Sequence, residues 1–108
     1  MAVNILRYAD QDGRPVLLAR NAPDHVDARV LAANVNEDHT VATDAKYVIF
    51  SSTVDFYAKK GGTAAVPAAD VTDGTGSELN PTIWYISGIT TIGLIAPTAA
   101  VVTLTFYK

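Results

Sequence analysis

The chain contains no cysteine. A disulfide framework, a thiolate nucleophile and a thiolate metal site are therefore excluded. The absence is compatible with assembly in a reducing cytosol. Charge is also scarce: 18% of residues are Asp, Glu, Lys or Arg, against roughly 25% in an average soluble domain. The longest basic run is Lys59-Lys60, and the net charge is −3. The electrostatic footprint of a nucleic-acid binder is missing. The most apolar window, Ile83 to Leu104, is broken by Gly88, Gly93 and Pro97 and by threonines. A membrane-spanning helix needs ~20 mostly apolar residues, so no span is expected. The first residues, Met1 to Arg7, have neither a basic start nor a long apolar stretch, so no signal peptide is expected. With two histidines, a three-histidine metal centre is out of reach, although one histidine with carboxylates could form another kind.

What remains is an apolar chain of modest size. Its 108 residues, 49% of them hydrophobic, predict one domain over 1–108 and one core. The apolar content argues against intrinsic disorder. Together with the scarce charge, it fits a protein that covers part of its surface with another chain.

Strand-like texture dominates. Tyr47, Ile49 and Ser51 alternate with Val48 and Phe50, and both faces of that segment are rather apolar. Such a pattern suits an inner strand or a strand facing an oligomer partner. Val54, Phe56 and Ala58 then alternate with Asp55, Tyr57 and Lys59, ending at Gly61-Gly62. Three further strands are expected within 82–107, separated by turns at Ser87-Gly88 and Ala96-Pro97-Thr98. In the last of them Val102, Leu104 and Phe106 share one face. Upstream, Ala28, Val30 and Ala32 alternate with Asp27 and Arg29, which favours a strand. Asn36-Glu37-Asp38-His39 is expected to be a polar turn. Residues 1–20 hold two apolar runs, Val3–Tyr8 and Pro15–Ala19, around Asp12-Gly13. They predict a hairpin with a longer loop or, alternatively, an extended arm lying on a neighbouring subunit. Residues 61–81, with two prolines and four glycines, predict a long loop, a length unusual without a function. The fold class that follows is all-β: a single small β-sandwich or jelly-roll-like barrel with an N-terminal hairpin or arm.

Chemistry is sparse. Asp70, Asp73 and Glu78 could gather oxygens for Ca²⁺, but their spacing does not match the calcium-loop motif; the plainer reading is a solvated loop. Gly74-Thr75-Gly76-Ser77 lacks the lysine and the strand–turn–helix setting of a phosphate cradle. His25 and His39 have no serine nucleophile in a recognisable setting and are expected to be surface histidines in turns. Asp55 with Glu78 or Asp70 is the one carboxylate pair that a glycan hydrolase could use. Tyr57, Tyr85 and Tyr107 would form a stacking platform if their strands were neighbours. No catalytic, cofactor or metal residue is assigned.

Two stretches carry a resemblance. Asp44 to Tyr57 followed by Gly61-Gly62-Thr63-Ala64-Ala65-Val66-Pro67, and Asp70 to Pro81, resemble small structural proteins of tailed bacteriophages. The ending, Ile92 to Ala96 and Val102 to Tyr107, is similar to the same group, so the likeness covers roughly residues 40–108. The resemblance implies a non-enzymatic virion protein, first of all a head decoration (cement) protein that binds and stabilises the assembled head. The alternatives are a neck, tail or fibre-associated protein, or a carbohydrate-binding module. It also implies a homo-oligomer, with a trimer favoured, whose partners are the major capsid protein or other virion proteins. It further implies a virion assembled in the host cytoplasm, with neither nucleic acid nor membrane as partner. The contact residues expected on this reading are Val3, Ile5 and Leu6 in the arm, Val66 and Leu79 in or beside the loop, and Tyr107 in the last strand.

Overall fold

A computed structural model of the chain describes the backbone of residues 6–9 and 15–19 and all of residues 21–108. Ten strands occur among them: β1 Leu6–Ala9, β2 Pro15–Ala19, β3 His25–Leu31, β4 Glu37–Thr40 and β5 Tyr47–Ser52, then β6 Tyr57–Lys60, β7 Glu78–Leu79, β8 Ile83–Tyr85, β9 Thr91–Ile95 and β10 Ala100–Tyr107. No described residue is helical. β1 and β2 form an antiparallel hairpin of their own. The other eight make two antiparallel four-stranded sheets. Sheet one has the order β3-β10-β5-β8, and sheet two β4-β9-β6-β7.

The pairing is nested. β3 pairs with β10, β4 with β9, β5 with β8 and β6 with β7. One long antiparallel ribbon, with β6 and β7 nearest its tip, has been wound into two sheets. This eight-stranded, two-sheet winding is a jelly roll, one of the two architectures expected from the strand pattern.

The core lies between the sheets. Val102, Leu104 and Phe106 of β10 and Val48 and Phe50 of β5 meet Ile92 and Leu94 of β9 and Ala58 of β6. Phe56, Ile86 and Ala96 close the ends. The alternation expected for β5 and β10 holds: Tyr47, Ile49 and Ser51 lie on the face away from the core, as do Val101, Thr103, Thr105 and Tyr107, although Thr105, in the middle of that face, is itself buried. Tight connections use left-handed residues of the kind that tolerate them, Asn34 (φ 60°), Asp44 (φ 62°) and Asn80 (φ 49°).

Two expectations are corrected here. Residues 37–40 are not a turn but strand β4, hydrogen-bonded along β9; the turn falls earlier, at Asn34. Glu-Asp-His-Thr has low strand propensity, and pairing with the buried β9 overrides it. The long loop ends at residue 77, because Glu78 and Leu79 pair with Ala58 and Tyr57 as β7.

Candidate interaction surface

The outer faces of the two sheets are treated differently. Sheet two is covered by the chain itself. Gly93, in the middle of β9, faces outward beneath the start of the long loop, where a Cβ would overlap the Gly62 carbonyl oxygen and lie 2.8 Å from the Ala64 nitrogen. Ala64 is buried there, and its N–H donates to Asn36 Oδ1 at 2.8 Å. Further along, the Ala65 N–H donates to Ser77 Oγ at 3.1 Å, drawing the two ends of the loop together. Only glycine lets two backbones approach so closely.

Nothing among the described residues covers sheet one in the same way. Its strand register sets up rows across the face. Val26, Thr105, Ile49 and Ile83 make one row over all four strands. Tyr107, Tyr47 and Tyr85 make the next. On the other side lie Ala28, Thr103 and Ser51, then Val30 beside Val101. None of these positions is charged. Val30 is 75% exposed, Tyr85 63%, Ile83 54% and Val26 52%. With strands ~4.8 Å apart and ~3.3 Å per residue, the face measures roughly 300–400 Å² in plan. That is the size of the largest apolar patch on a typical monomer, which is often functional.

β3 sharpens the contrast. As an edge strand of a sandwich, it would ordinarily bury its valines and present its charges to water. Here the valines face out, and His25, Asp27 and Arg29 lie on the side of the core residue Leu31. Those inward polar groups are paired across the open side of the sandwich. His39, buried on β4, donates from Nε2 to Asp27 Oδ2 at 2.8 Å. His25 donates to Oδ1 of the same carboxylate at 2.9 Å. The His39 ring also stacks on Phe106, with centroids 6.0 Å apart and planes 11° from parallel. Arg29 donates to the Asp38 carbonyl at 3.2 Å. Both histidines lie in strands rather than turns, and His39 is buried, while His25 is on the surface as expected. They share one aspartate and tie β3 to β4. The residue types gave no sign of this, because Asp27 and His39 are twelve positions apart and meet only through the winding.

The other open side is closed by Trp84 of β8 and Glu78 of β7. The indole N–H donates to Glu78 Oε1 at 3.0 Å, and the ring packs edge-on against Phe50 at 5.0 Å.

Of the contact residues expected from sequence, Tyr107 lies on the sheet-one face, where its hydroxyl donates to the Asn21 carbonyl at 2.8 Å. Leu79 is exposed but points outward from sheet two, and Val66 is half-buried in the loop. Leu6 is in β1, opposite Ala19; its side chain, and Val3 and Ile5 altogether, lie outside the described residues. The aromatic row also differs from the expected set. Tyr85 and Tyr107 belong to it, but their neighbour is Tyr47; Tyr57 is on β6 of sheet two. Tyr47 and Tyr85 meet edge to face at 5.2 Å.

Two further carboxylates are held in hydrogen bonds. Asp55 Oδ1 accepts from Asn80 Nδ2 at 2.9 Å, while Glu78 holds the indole. Asp73 accepts from both the hydroxyl (2.6 Å) and the N–H (3.1 Å) of Thr75. Those bonds, the hydroxyl first, hold its carboxyl below the ordinary aspartate range. Among the described residues no group of three His, Cys, Asp or Glu side chains could hold a metal ion, and no helix is long and apolar enough to cross a membrane. In comparisons with known proteins, the chain matches no family, no curated protein and no solved structure.

Proposed function

We propose that the protein is a non-enzymatic structural component of a bacteriophage virion, a decoration protein that works as a homo-oligomer on the assembled head. The observation that carries this reading is the charge-free outer face of sheet one. An apolar, four-strand-wide surface is unfavourable in water and becomes favourable when covered by protein. The inverted edge strand β3 adds weight, since its exposed valines gain only if something packs on them. The phrases over residues 40–108 that resemble small phage structural proteins supply the setting. A fold alone would not, because jelly rolls host many functions.

The mechanism asks little of any single residue. A cement protein stiffens a shell through many modest contacts repeated by symmetry. Burial of valines, isoleucine and tyrosines at ~25 cal/mol per Å² supplies the affinity, and the tyrosine hydroxyls keep the face soluble before assembly. Asp55 and Glu78, the carboxylate pair that could have served a hydrolase, are held in hydrogen bonds to Asn80 and Trp84, which favours binding over catalysis.

Cryo-electron microscopy of the source virion, with gold-labelled antibody against the protein, tests the proposal. Density repeated over the head is expected. Signal confined to the neck, tail or fibres would keep the virion class and overturn decoration. Absence of the protein from every particle would overturn both.

A further inference from the structure

The sandwich side closed by Trp84 also holds a cleft of about 520 Å³, within the roughly 300–1,000 Å³ usual for small-ligand sites. It lies between the edges of the two sheets, and Ile83 and Tyr85 at the margin of the apolar face form part of its rim. Trp84, Glu78, Lys59 and Lys60 line it, with Gly74 and Gly76 of the long loop in its far wall. We infer that this cleft binds an acidic saccharide, one bearing a uronic-acid carboxylate, with the ring stacked on Trp84 and the carboxylate at Lys60.

Four observations point there. The indole is rigid: its N–H is fixed on Glu78 and its ring on Phe50, yet it remains half-buried at the cleft rather than sealed in the core. A preoriented aromatic face suits the C–H side of a sugar ring. Lys60 is exposed, and alternation places it on the same side of β6 as the buried Ala58, toward the space between the sheets. Neither lysine forms an ion pair among the described residues. Lys59 lies on the opposite side of β6, with Asp73 in its field, so Lys60 is the cation aimed into the cleft, and it offers a partner to an anionic group. Glu78 in turn selects the kind of anion. One of its oxygens holds the indole, and the other can accept a sugar hydroxyl, whereas a phosphate dianion would be repelled. The glycines leave the far wall without side chains that would block a pyranose ring.

The test uses a feature of the sequence. Trp84 is the only tryptophan, so intrinsic fluorescence reports on this cleft alone. The full chain is titrated with a hyaluronan tetrasaccharide, with the neutral chitotetraose, and with AMP. The expected result is a saturable change in emission with the acidic tetrasaccharide and much weaker changes with the other two. Lys60→Ala should weaken binding about tenfold, the equivalent of ~1.4 kcal/mol. Glu78→Gln, which keeps an oxygen acceptor for the indole but removes the negative charge, should tighten it severalfold. Lys108→Ala, at the chain end beside Asp24, should leave affinity unchanged. An unchanged emission, with an unmoved Trp84 Nε1–H resonance, at millimolar tetrasaccharide would overturn the inference. So would equal binding of chitotetraose, or tighter binding of AMP. Lys60 and Glu78 are on sheet two, so their variants leave the apolar face intact, and association, read by sedimentation, tests that face separately.

Discussion

At the scale of single residues, Gly93 and Asp27 do the work that the sequence shows least. Gly93 allows the start of the long loop to lie directly on β9, and any side chain there must displace backbone. Gly93→Ala should therefore destabilise the fold by about 3 kcal/mol or more, in the range of severe core changes. A urea midpoint within error of wild type would refute the close approach. Asp27 is the shared acceptor of His25 and His39. Asp27→Ala leaves the buried His39 ring without that partner and should cost about 1–3 kcal/mol, read by thermal or chemical unfolding. Asp73 offers a pH test. Its carboxyl titrates below the ordinary aspartate range because Thr75 bonds the charged form. The associated stabilisation is present above that range and is lost as pH falls through the depressed folded value. Thr75→Val removes the larger cause, so the Asp73 carboxyl carbon, followed by NMR, should titrate at higher pH than in wild type.

Among the elements, legibility followed local pattern. β5 and β10 were readable because their period-2 alternation coincides with burial: Val48, Phe50, Val102, Leu104 and Phe106 are all in the core. The turns at Ser87-Gly88 and after Ala96 were readable because glycine and proline mark them. β4 was not, since Glu37 to Thr40 is polar and becomes a strand only by pairing with β9. β3 was legible as a strand but misleading as to orientation. Alternation says that Val26, Ala28 and Val30 share a face, not that the face is the outer one. The apolar face of sheet one is only half legible. The two apolar faces of β5 point to it, but its full extent depends on the register of four strands drawn from across the chain. The histidine–aspartate bridge and the Trp84–Glu78 bridge had no local signal, because each joins strands of different sheets.

For the whole molecule, the nested winding explains which face the long loop covers. The tip of the ribbon, residues 61–77, folds back over sheet two, and no equivalent segment among the described residues covers sheet one. Among the described residues, one sheet is protected by the long loop and the other has no such cover. That asymmetry is the core of the account. It links the low charge of the sequence to the rows of valine, isoleucine and tyrosine on the surface, and those rows to the assembly proposed above.

Sedimentation velocity over a concentration series tests it most directly, comparing the wild-type chain with the double variant Val30→Lys/Ile83→Lys. Both sites are more than half exposed, so the substitutions should change folding stability by no more than about 0.5 kcal/mol each. The account predicts a discrete wild-type oligomer, a trimer on the proposed reading, and a folded monomer for the double variant. A wild-type protein that remains monomeric at every concentration, or a double variant that assembles as readily as wild type, would contradict it.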